Sequence, residues 1–142
     1  MGAVVALDTL FNGGQVWKGR PAPPSVSPQP TGHAALDAAL PTGGWPEAAL
    51  TEILLAGQGV GELQLVWPAL ARLSAAGERI VLVAPPYVPD PQAWQNAGVD
   101  LRQLSVIQAS ERDALWAAEQ CLRSGSCGAV LCWPHKADDR AL

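Results

Sequence analysis

The segment from Ala56 to Leu63, which reads Ala-Gly-Gln-Gly-Val-Gly-Glu-Leu, has the residue types of a loop that could hold a phosphate group. It follows an apolar run and precedes a pattern with helical spacing. Glycines between a strand and a helix let backbone N–H groups approach phosphate oxygens. In the pattern G-x-x-x-x-G-K-[ST], lysine neutralises the β and γ phosphates and the hydroxyl ligates magnesium. The chemistry in question is therefore nucleotide binding and hydrolysis.

This segment departs from that pattern at the positions that carry charge. When Gly61 is aligned with the last glycine, Glu62 takes the lysine position and Leu63 takes the hydroxyl position. A charge about 4 Å away is worth roughly 4 kcal/mol at a surface-like dielectric, so a carboxylate repels a polyphosphate strongly. Leu63 offers no magnesium ligand. We therefore expect a degenerate phosphate loop and no cofactor, with the loop formed by Ala56, Gly57, Gly59, Gly61, Glu62 and Leu63.

The neighbouring loops also lack the carboxylates that nucleotide hydrolysis needs. Such an enzyme uses one acid near the end of its second strand to activate water and another after a later strand to hold the metal. Here those positions read Ala84-Pro85-Pro86-Tyr87 and Trp133-Pro134. More distant polar groups are interpreted as helix caps or solvated surface groups: Asp90, His135, Asp138 and Asp139. We predict no catalytic residue, no metal site and no enzymatic activity.

Alternating apolar patterns define the elements that would position this loop. Apolar runs at 50–55, 79–84, 104–108 and 129–133 predict four strands. Helical spacing or composition predicts helices at 33–40, 62–76 and 90–97, and a further helix capped by Ser110 and ended by Gly125. This order predicts an α/β fold with a mainly parallel sheet flanked by helices.

The same patterns assign the core and leave several tryptophans for other roles. The last helix is expected to bury a stripe of Leu115, Ala118, Cys121 and Leu122. The predicted core comprises Leu70, Leu73, Val81, Val83, Leu115, Leu122, Val130 and Leu131. Trp67 and Trp133 are expected to join it. Large aromatic side chains favour protein interfaces, so the candidate partner-binding residues are Trp17, Trp94 and Trp116.

Composition predicts a domain organisation and excludes several classes of protein. We expect an N-terminal segment at 1–11, a mobile Pro/Ser-rich linker at 12–30 and an α/β domain at 31–142. The net charge is −4 and no basic stripe is present, which argues against direct nucleic-acid binding. No apolar run of about 18 residues and no signal peptide is evident, so we expect a cytoplasmic protein that does not span a membrane. The 3 cysteines match no zinc spacing and are interpreted as reduced thiols.

Several motifs resemble the RecA-like recombinase and ATPase core. They are Thr31-Gly32, Leu36-Asp37, Gly43-Gly44-Trp45-Pro46 and Thr51-Glu52-Ile53, and they look like the lead-in to the first core strand of that family. The resemblance covers about 31–133 and implies a RecA-like, P-loop-type core. Since every catalytic position departs from the family, it does not imply ATPase activity.

Within this layout, two families lack the phosphate chemistry. The segments 16–20, 31–50, 59–89 and 113–142 look closest to ImuA proteins, which are associated with translesion DNA synthesis, while SulA proteins share about 50–133. ImuA proteins continue further, so the resemblance implies a domain truncated at its C-terminus. It also implies an accessory role in SOS-induced mutagenesis, with a Y-family polymerase homologue, an error-prone polymerase and RecA as candidate partners. The alternatives are a SulA-type cell-division inhibitor that binds FtsZ and a small-molecule-binding α/β domain.

Overall fold

The computed structural model describes residues 4, 6–14, 16, 19, 26–57 and 59–134. Within these ranges it contains five α-helices, a short 3₁₀ helix and three β-strands. The helices are α1 (Leu7–Asn12), α2 (Ala34–Ala39), α3 (Leu63–Ala75), α4 (Pro91–Asn96) and α5 (Ala114–Arg123), with the 3₁₀ helix at Leu101–Gln103. The strands are β1 (Arg79–Val83), β2 (Leu104–Ile107) and β3 (Cys127–Cys132).

The three strands form one parallel sheet in the order β2-β1-β3. Ile80 in β1 is in register with Leu104 of β2 and Ala129 of β3, and the β1–β3 register shifts between Arg79 and Ile80. Parallel strands need long crossover connections: α4 with the 3₁₀ helix connects β1 to its neighbour β2, and α5 connects β2 to β3 on the other side of β1. The predicted α/β fold with a parallel sheet flanked by helices is confirmed.

Both faces of the sheet are covered, so the core has two parts. Val81 and Val83 of β1 point to one face and pack with Ala114, Ala117 and Ala118 of α5. On the other face, side chains from β1 pack with α3, α4 and the segment after α4: Ile80, Leu82, Leu70, Trp94 and Val99. Strand side chains alternate between faces, and the apolar sequence of β1 reflects burial on both sides.

The predicted strand at 50–55 is not formed. Every residue in this segment is exposed, and the segment has no regular structure, so the described sheet has three strands rather than four. An apolar run becomes a strand only when a neighbouring strand completes its backbone hydrogen bonds and covers one face. Leu50 and Leu54, which suggested burial, stand in solvent.

The buried face of α5 differs from the predicted stripe. Leu122 is 64% exposed and Leu115 is half-buried outside the core, whereas Ala114, Ala117 and Ala118 are buried. The small alanines allow the helix to lie close to the sheet, and the larger leucines lie away from it. The other predicted core residues are buried or pack against the core: Leu70, Leu73, Val81, Val83, Val130 and Leu131.

The start of α5 also corrects the expected Ser110 cap. Asp113 occupies the N-cap position, and no side chain of the described residues caps the helix. The Ser110 carbonyl accepts from the N–H groups of Asp113 and Ala114, while its hydroxyl donates to Asp113 Oδ2 over 2.8 Å. Ser110 therefore belongs to a turn that precedes the helix.

The end of the predicted linker is bound to the domain. The Ser27 N–H donates to the Thr42 carbonyl over 2.8 Å, and the Trp45 N–H donates to the Gln29 carbonyl over 2.8 Å. Arg72 of α3 donates to the Gln29 side chain and to the carbonyl of residue 30. Residues 26–30 therefore contact the folded domain through backbone pairing and through the Arg72 guanidinium group. Trp17 and most of 15–25 lie outside the described residues.

Candidate functional site

The lead-in before the glycine-rich turn is folded against α3. The Thr31 N–H donates to Asp37 Oδ1 over 2.8 Å, and the His33 N–H donates to Thr31 Oγ1 over 3.0 Å. The His33 ring reaches forward, with Nε2 3.0 Å from the Gln64 carbonyl. These contacts place the lead-in beside the first turn of α3.

The same contacts perturb the Asp37 carboxyl group. The Thr31 backbone N–H, then the Thr31 hydroxyl, lower the pKa of Asp37, and the neighbouring charges of His33 and Arg72 add to this effect. Hydrogen bonds to a carboxylate stabilise its charged form. Asp37 therefore acts as a structural acceptor that joins the lead-in to the first turn of α2.

The glycine-rich turn precedes α3 as predicted. Gly59 and Gly61 have φ values of 74° and 87°, a region that side chains rarely adopt, and Glu62 occupies the N-cap position of α3. Ala56 and Gly57 are exposed, and Gln58 lies outside the described residues. The turn therefore has backbone geometry available to glycine, with a carboxylate at the entrance to the helix.

A cleft of about 220 Å³ lies between this turn and the loop that follows β1. Glu62, Leu63 and Trp67 line it from the α3 side. The β1 loop, β3 and α4 contribute the remaining lining residues: Leu82, Pro85, Pro86, Tyr87, Pro89, Asp90, Ala93, Trp94 and Trp133. The cleft lies at the carboxyl edge of the parallel sheet, the edge at which α/β domains bind ligands.

The chemistry of this cleft is apolar and acidic. Among the described residues, Glu62 and Asp90 are the only charged side chains in its lining, and neither lysine nor arginine contributes. Asp90 also caps α4, since its Oδ1 accepts from the Gln92 N–H over 3.1 Å. The volume is below the roughly 300–1,000 Å³ of typical ligand pockets. These properties suit a small apolar or cationic group better than a nucleotide.

The loop after β1 shapes the mouth of the cleft, a role that the sequence patterns did not predict. It starts at Ala84, whose φ of 50° is strained for a residue with a side chain. Tyr87 is 64% exposed, and a Cβ placed on Gly59 would lie 3.9 Å from the Tyr87 ring. The Pro85-Pro86-Tyr87-Val88-Pro89 run was the available signal, because prolines after a strand hold a loop in an extended conformation.

The candidate tryptophans fall into separate environments. Trp94 is 2% exposed and packs edge-to-face against Trp67, with ring centroids 6.0 Å apart and an interplanar angle of 78°. Trp94 is therefore not an exposed side chain: it forms the floor of the cleft. Trp116 is 62% exposed and stays a candidate. Trp67 and Trp133 pack against the core, as predicted.

The three cysteines, all within the described residues, are free thiols that pack against the core on the α5 face. Burial, followed by the neighbouring Cys127, raises the pKa of the Cys121 thiol, and burial raises the pKa of Cys132. A raised thiol pKa lowers the thiolate fraction and with it the nucleophilicity of the cysteine.

The described residues contain no group of three or more metal-binding side chains. In the same part of the chain, no helix combines the length and apolar character needed to cross a membrane.

A parallel sheet flanked by helices, with a glycine-rich turn before α3, defines a small α/β domain consistent with a RecA-like core. The RecA N-terminal domain family matches residues 2–133. The chain belongs to this family.

Individual relatives agree with this assignment over most of the chain. Protein RecA from Frankia alni is 30% identical over 131 residues, which cover 91% of this chain and 38% of that protein. Protein RecA from Clavibacter michiganensis subsp. michiganensis is 32% identical, with coverage of 91% and 36%. The chain thus spans less than two-fifths of these relatives. The crystal structure of SulA from Pseudomonas aeruginosa is similar with a TM-score of 0.54 and 26% identity, over 64% of this chain and 79% of that chain.

Proposed function

We propose that this protein is a non-catalytic, RecA-like accessory factor of SOS-induced translesion DNA synthesis that acts by binding other proteins. The observation that carries this proposal is the position of Glu62 and Leu63. Both line the cleft at the start of α3, where a phosphate loop would present lysine and a hydroxyl group. The glycine geometry is kept, while the groups that would attract a nucleotide are replaced.

The rest of the cleft supports a role without catalysis. Trp133 follows β3 and Pro85 follows the β1 end, and neither can activate water or hold a metal ion. Asp90, the other acid in the lining besides Glu62, caps α4 through its Oδ1. A domain that retains the fold and lacks these charges is most simply a recognition surface.

The lead-in favours the translesion-synthesis role over the SulA-type role. The segment 31–46, which carries the resemblance to ImuA, precedes the region shared with SulA and contacts α3 through Gly32 and His33. On this basis the partners are a Y-family polymerase homologue and an error-prone polymerase, with RecA as a third. A net charge of −4 favours proteins over DNA as direct partners, because phosphate contacts require several lysines or arginines on one face.

The SulA-type alternative, a cell-division inhibitor that binds FtsZ, draws support from the structural similarity to SulA. It predicts a different result in a direct assay. The purified chain would stop FtsZ from sedimenting as polymer, while loss of the protein would leave damage-induced mutation unchanged.

The deciding experiment measures both activities. A strain lacking the gene is complemented with the wild-type chain or with Trp116→Ala, and its damage-induced mutation frequency is measured. Separately, each purified protein is added to FtsZ, and the amount of FtsZ polymer that sediments is measured. Glu78→Gln, an exposed change at the far end of β1, is the control variant. We expect the deletion to lower induced mutation and the purified protein to leave FtsZ polymers intact. Unchanged mutation together with loss of FtsZ polymer would replace the proposal with the division-inhibitor function.

A direct interaction assay identifies the partner protein. The tagged chain is recovered from damaged cells, and the polymerase homologue, RecA and FtsZ are quantified in the recovered material. We expect enrichment of the polymerase homologue over FtsZ. Enrichment of FtsZ alone would contradict the proposal.

The remaining alternative, a small-molecule-binding domain, rests on the cleft itself. Its lining is apolar and its floor is formed by Trp94. A free metabolite and a side chain of a partner protein would contact the same lining residues, so different test ligands are needed to distinguish the two.

A further inference from the structure

We propose that the cleft above the glycine-rich turn receives an arginine side chain from a partner protein. This inference rests on the proposed protein-binding function for the source of the arginine. The cleft's preference for a guanidinium group follows from its own walls and charges.

The walls of the cleft are aromatic. Trp67, Trp94 and Trp133 line its inner part, and Tyr87 lines its mouth. Aromatic faces attract cations through their quadrupole, and arginine stacks on them because its guanidinium group is planar and weakly hydrated. Trp67 and Trp133 are partly exposed and Tyr87 is exposed, so their rings are accessible to a planar cation, while Trp94 closes the floor beneath them.

The charges of the cleft are both negative. Glu62 enters from the first turn of α3 and Asp90 from the start of α4, so carboxylates stand on two sides. No cation among the described lining residues neutralises them. An entering guanidinium group would donate hydrogen bonds to a carboxylate while its plane rests on an aromatic ring, which excludes anions and disfavours neutral side chains.

The size and the rim indicate an arginine carried by a protein. About 220 Å³ accommodates one long side chain and is small for a nucleotide. Tyr87 lines the cleft and is exposed, as are its chain neighbour Val88 and Val60 of the glycine-rich turn, and Gly59 lies against the Tyr87 ring. Apolar residues around a pocket are typical of a protein interface, where they exclude water from a central anchor.

The test uses the purified chain and peptides, and therefore does not depend on the cellular assay. A five-residue peptide with a central arginine is titrated while the indole N–H signals of the protein are followed by NMR. A matched peptide carries citrulline, which keeps the shape and removes the charge, and free Nα-acetylarginine amide provides the third probe. We expect the arginine peptide to bind about tenfold more tightly than the citrulline peptide, and several-fold more tightly than the free amide.

Variants separate the two sources of recognition. Glu62→Gln is expected to weaken arginine binding about two- to fivefold, and Tyr87→Ala by a similar factor. Glu78→Gln removes the same charge at the opposite end of β1 and should leave binding unchanged. Both Glu62 and Tyr87 are at least partly exposed, and their replacement should preserve the indole spectrum of the free protein.

Three results would overturn the inference. Equal affinity for the citrulline peptide would show that the positive charge of arginine does not contribute to binding. Unchanged affinity in Glu62→Gln would show that the peptide does not bind in the cleft. Equal affinity for the free amide would assign the cleft to a small molecule. If the peptides bind as expected while the mutation and pull-down assays fail, the cleft chemistry stands and the cellular role is wrong.

Discussion

Gly32 lies directly against Pro68, which is inside α3. A Cβ atom placed on Gly32 would be 2.4 Å from the Pro68 Cβ, closer than real carbon atoms approach. The φ of Gly32 is 86°, so the position also favours glycine through its backbone. This contact joins the lead-in to the helix that follows the glycine-rich turn.

Gly32→Ala should therefore destabilise the protein more than an equivalent change in open space. Gly77 is the matched control because its φ is 84° and no described atom lies within 4 Å of the position that a Cβ would take there. We expect Gly77→Ala to cost about 1–2 kcal/mol from backbone strain, and Gly32→Ala a further ~1–3 kcal/mol from overpacking. Urea unfolding measures both, and equal costs would show that Pro68 does not confine Gly32.

Trp94 and Trp116 should respond in opposite ways to truncation. Trp94 is buried beneath the cleft and contacts Trp67, whereas Trp116 is exposed on α5. We expect Trp94→Ala to lower the free energy of unfolding by about 3–5 kcal/mol, and Trp116→Ala by less than about 0.5 kcal/mol. Denaturant unfolding followed by circular dichroism compares the two, and a large loss at Trp116 would show that it packs against another part of the protein.

Leu122→Ala should be mild, in contrast to the expectation from the helical pattern. The side chain is exposed, so we expect a loss within about 0.5 kcal/mol. Leu70→Ala is the matched buried change and should cost about 2–5 kcal/mol. Thermal unfolding distinguishes the two, and comparable losses would mean that α5 is rotated relative to the structure.

The Asp37 contact should make stability depend on pH in the acid range. The pKa of Asp37 is lowered in the folded protein by the Thr31 N–H, so this stabilisation is present above the unfolded value of about 3.9. It is lost as the pH falls through the folded pKa, because the protonated carboxyl group is favoured in the unfolded state. Asp37→Asn should flatten the pH dependence of the unfolding free energy there. Glu111→Gln, at an exposed site, is the control, and an equal effect of both variants would contradict the assignment.

Mg-ATP should not bind measurably to the wild-type chain. Glu62 repels the phosphates and Leu63 cannot ligate magnesium, so titration calorimetry should give no dissociation constant below about 100 μM. The double change Glu62→Lys with Leu63→Thr should restore weak affinity without hydrolysis, since no acid directly follows the adjacent strands in the described part of the chain. Tight binding by the wild type would contradict the proposed non-catalytic role.

Local sequence patterns predicted the elements whose partners are close in the chain. The run Arg79–Val83 and the Gly77 and Gly98 stops indicated β1 and the ends of α3 and α4, because burial on both faces leaves a continuous apolar signature. The Asp90 cap was also predicted, since capping depends on a few adjacent residues.

Features that depend on distant partners were not predictable. The segment 50–55 has the apolar content of a strand, and whether it pairs is decided by other strands. The face that α5 buries depends on small residues packing close to the sheet, so alanines are buried in place of Leu115 and Leu122. The aromatic lining of the cleft was not predicted, because Tyr87 and Trp67 are 20 positions apart in the sequence and come together only in the folded domain.

The order β2-β1-β3 has a consequence for synthesis on the ribosome. The central strand is made first, and both of its neighbours follow it, with β3 complete only at Cys132. Because translation adds roughly 5–20 residues per second, β1, the most apolar strand, has no partner strand on either edge for seconds after it is made. During that interval it can pair with other nascent chains, so slow translation or low chaperone capacity should reduce the yield of folded protein before any change in its final stability.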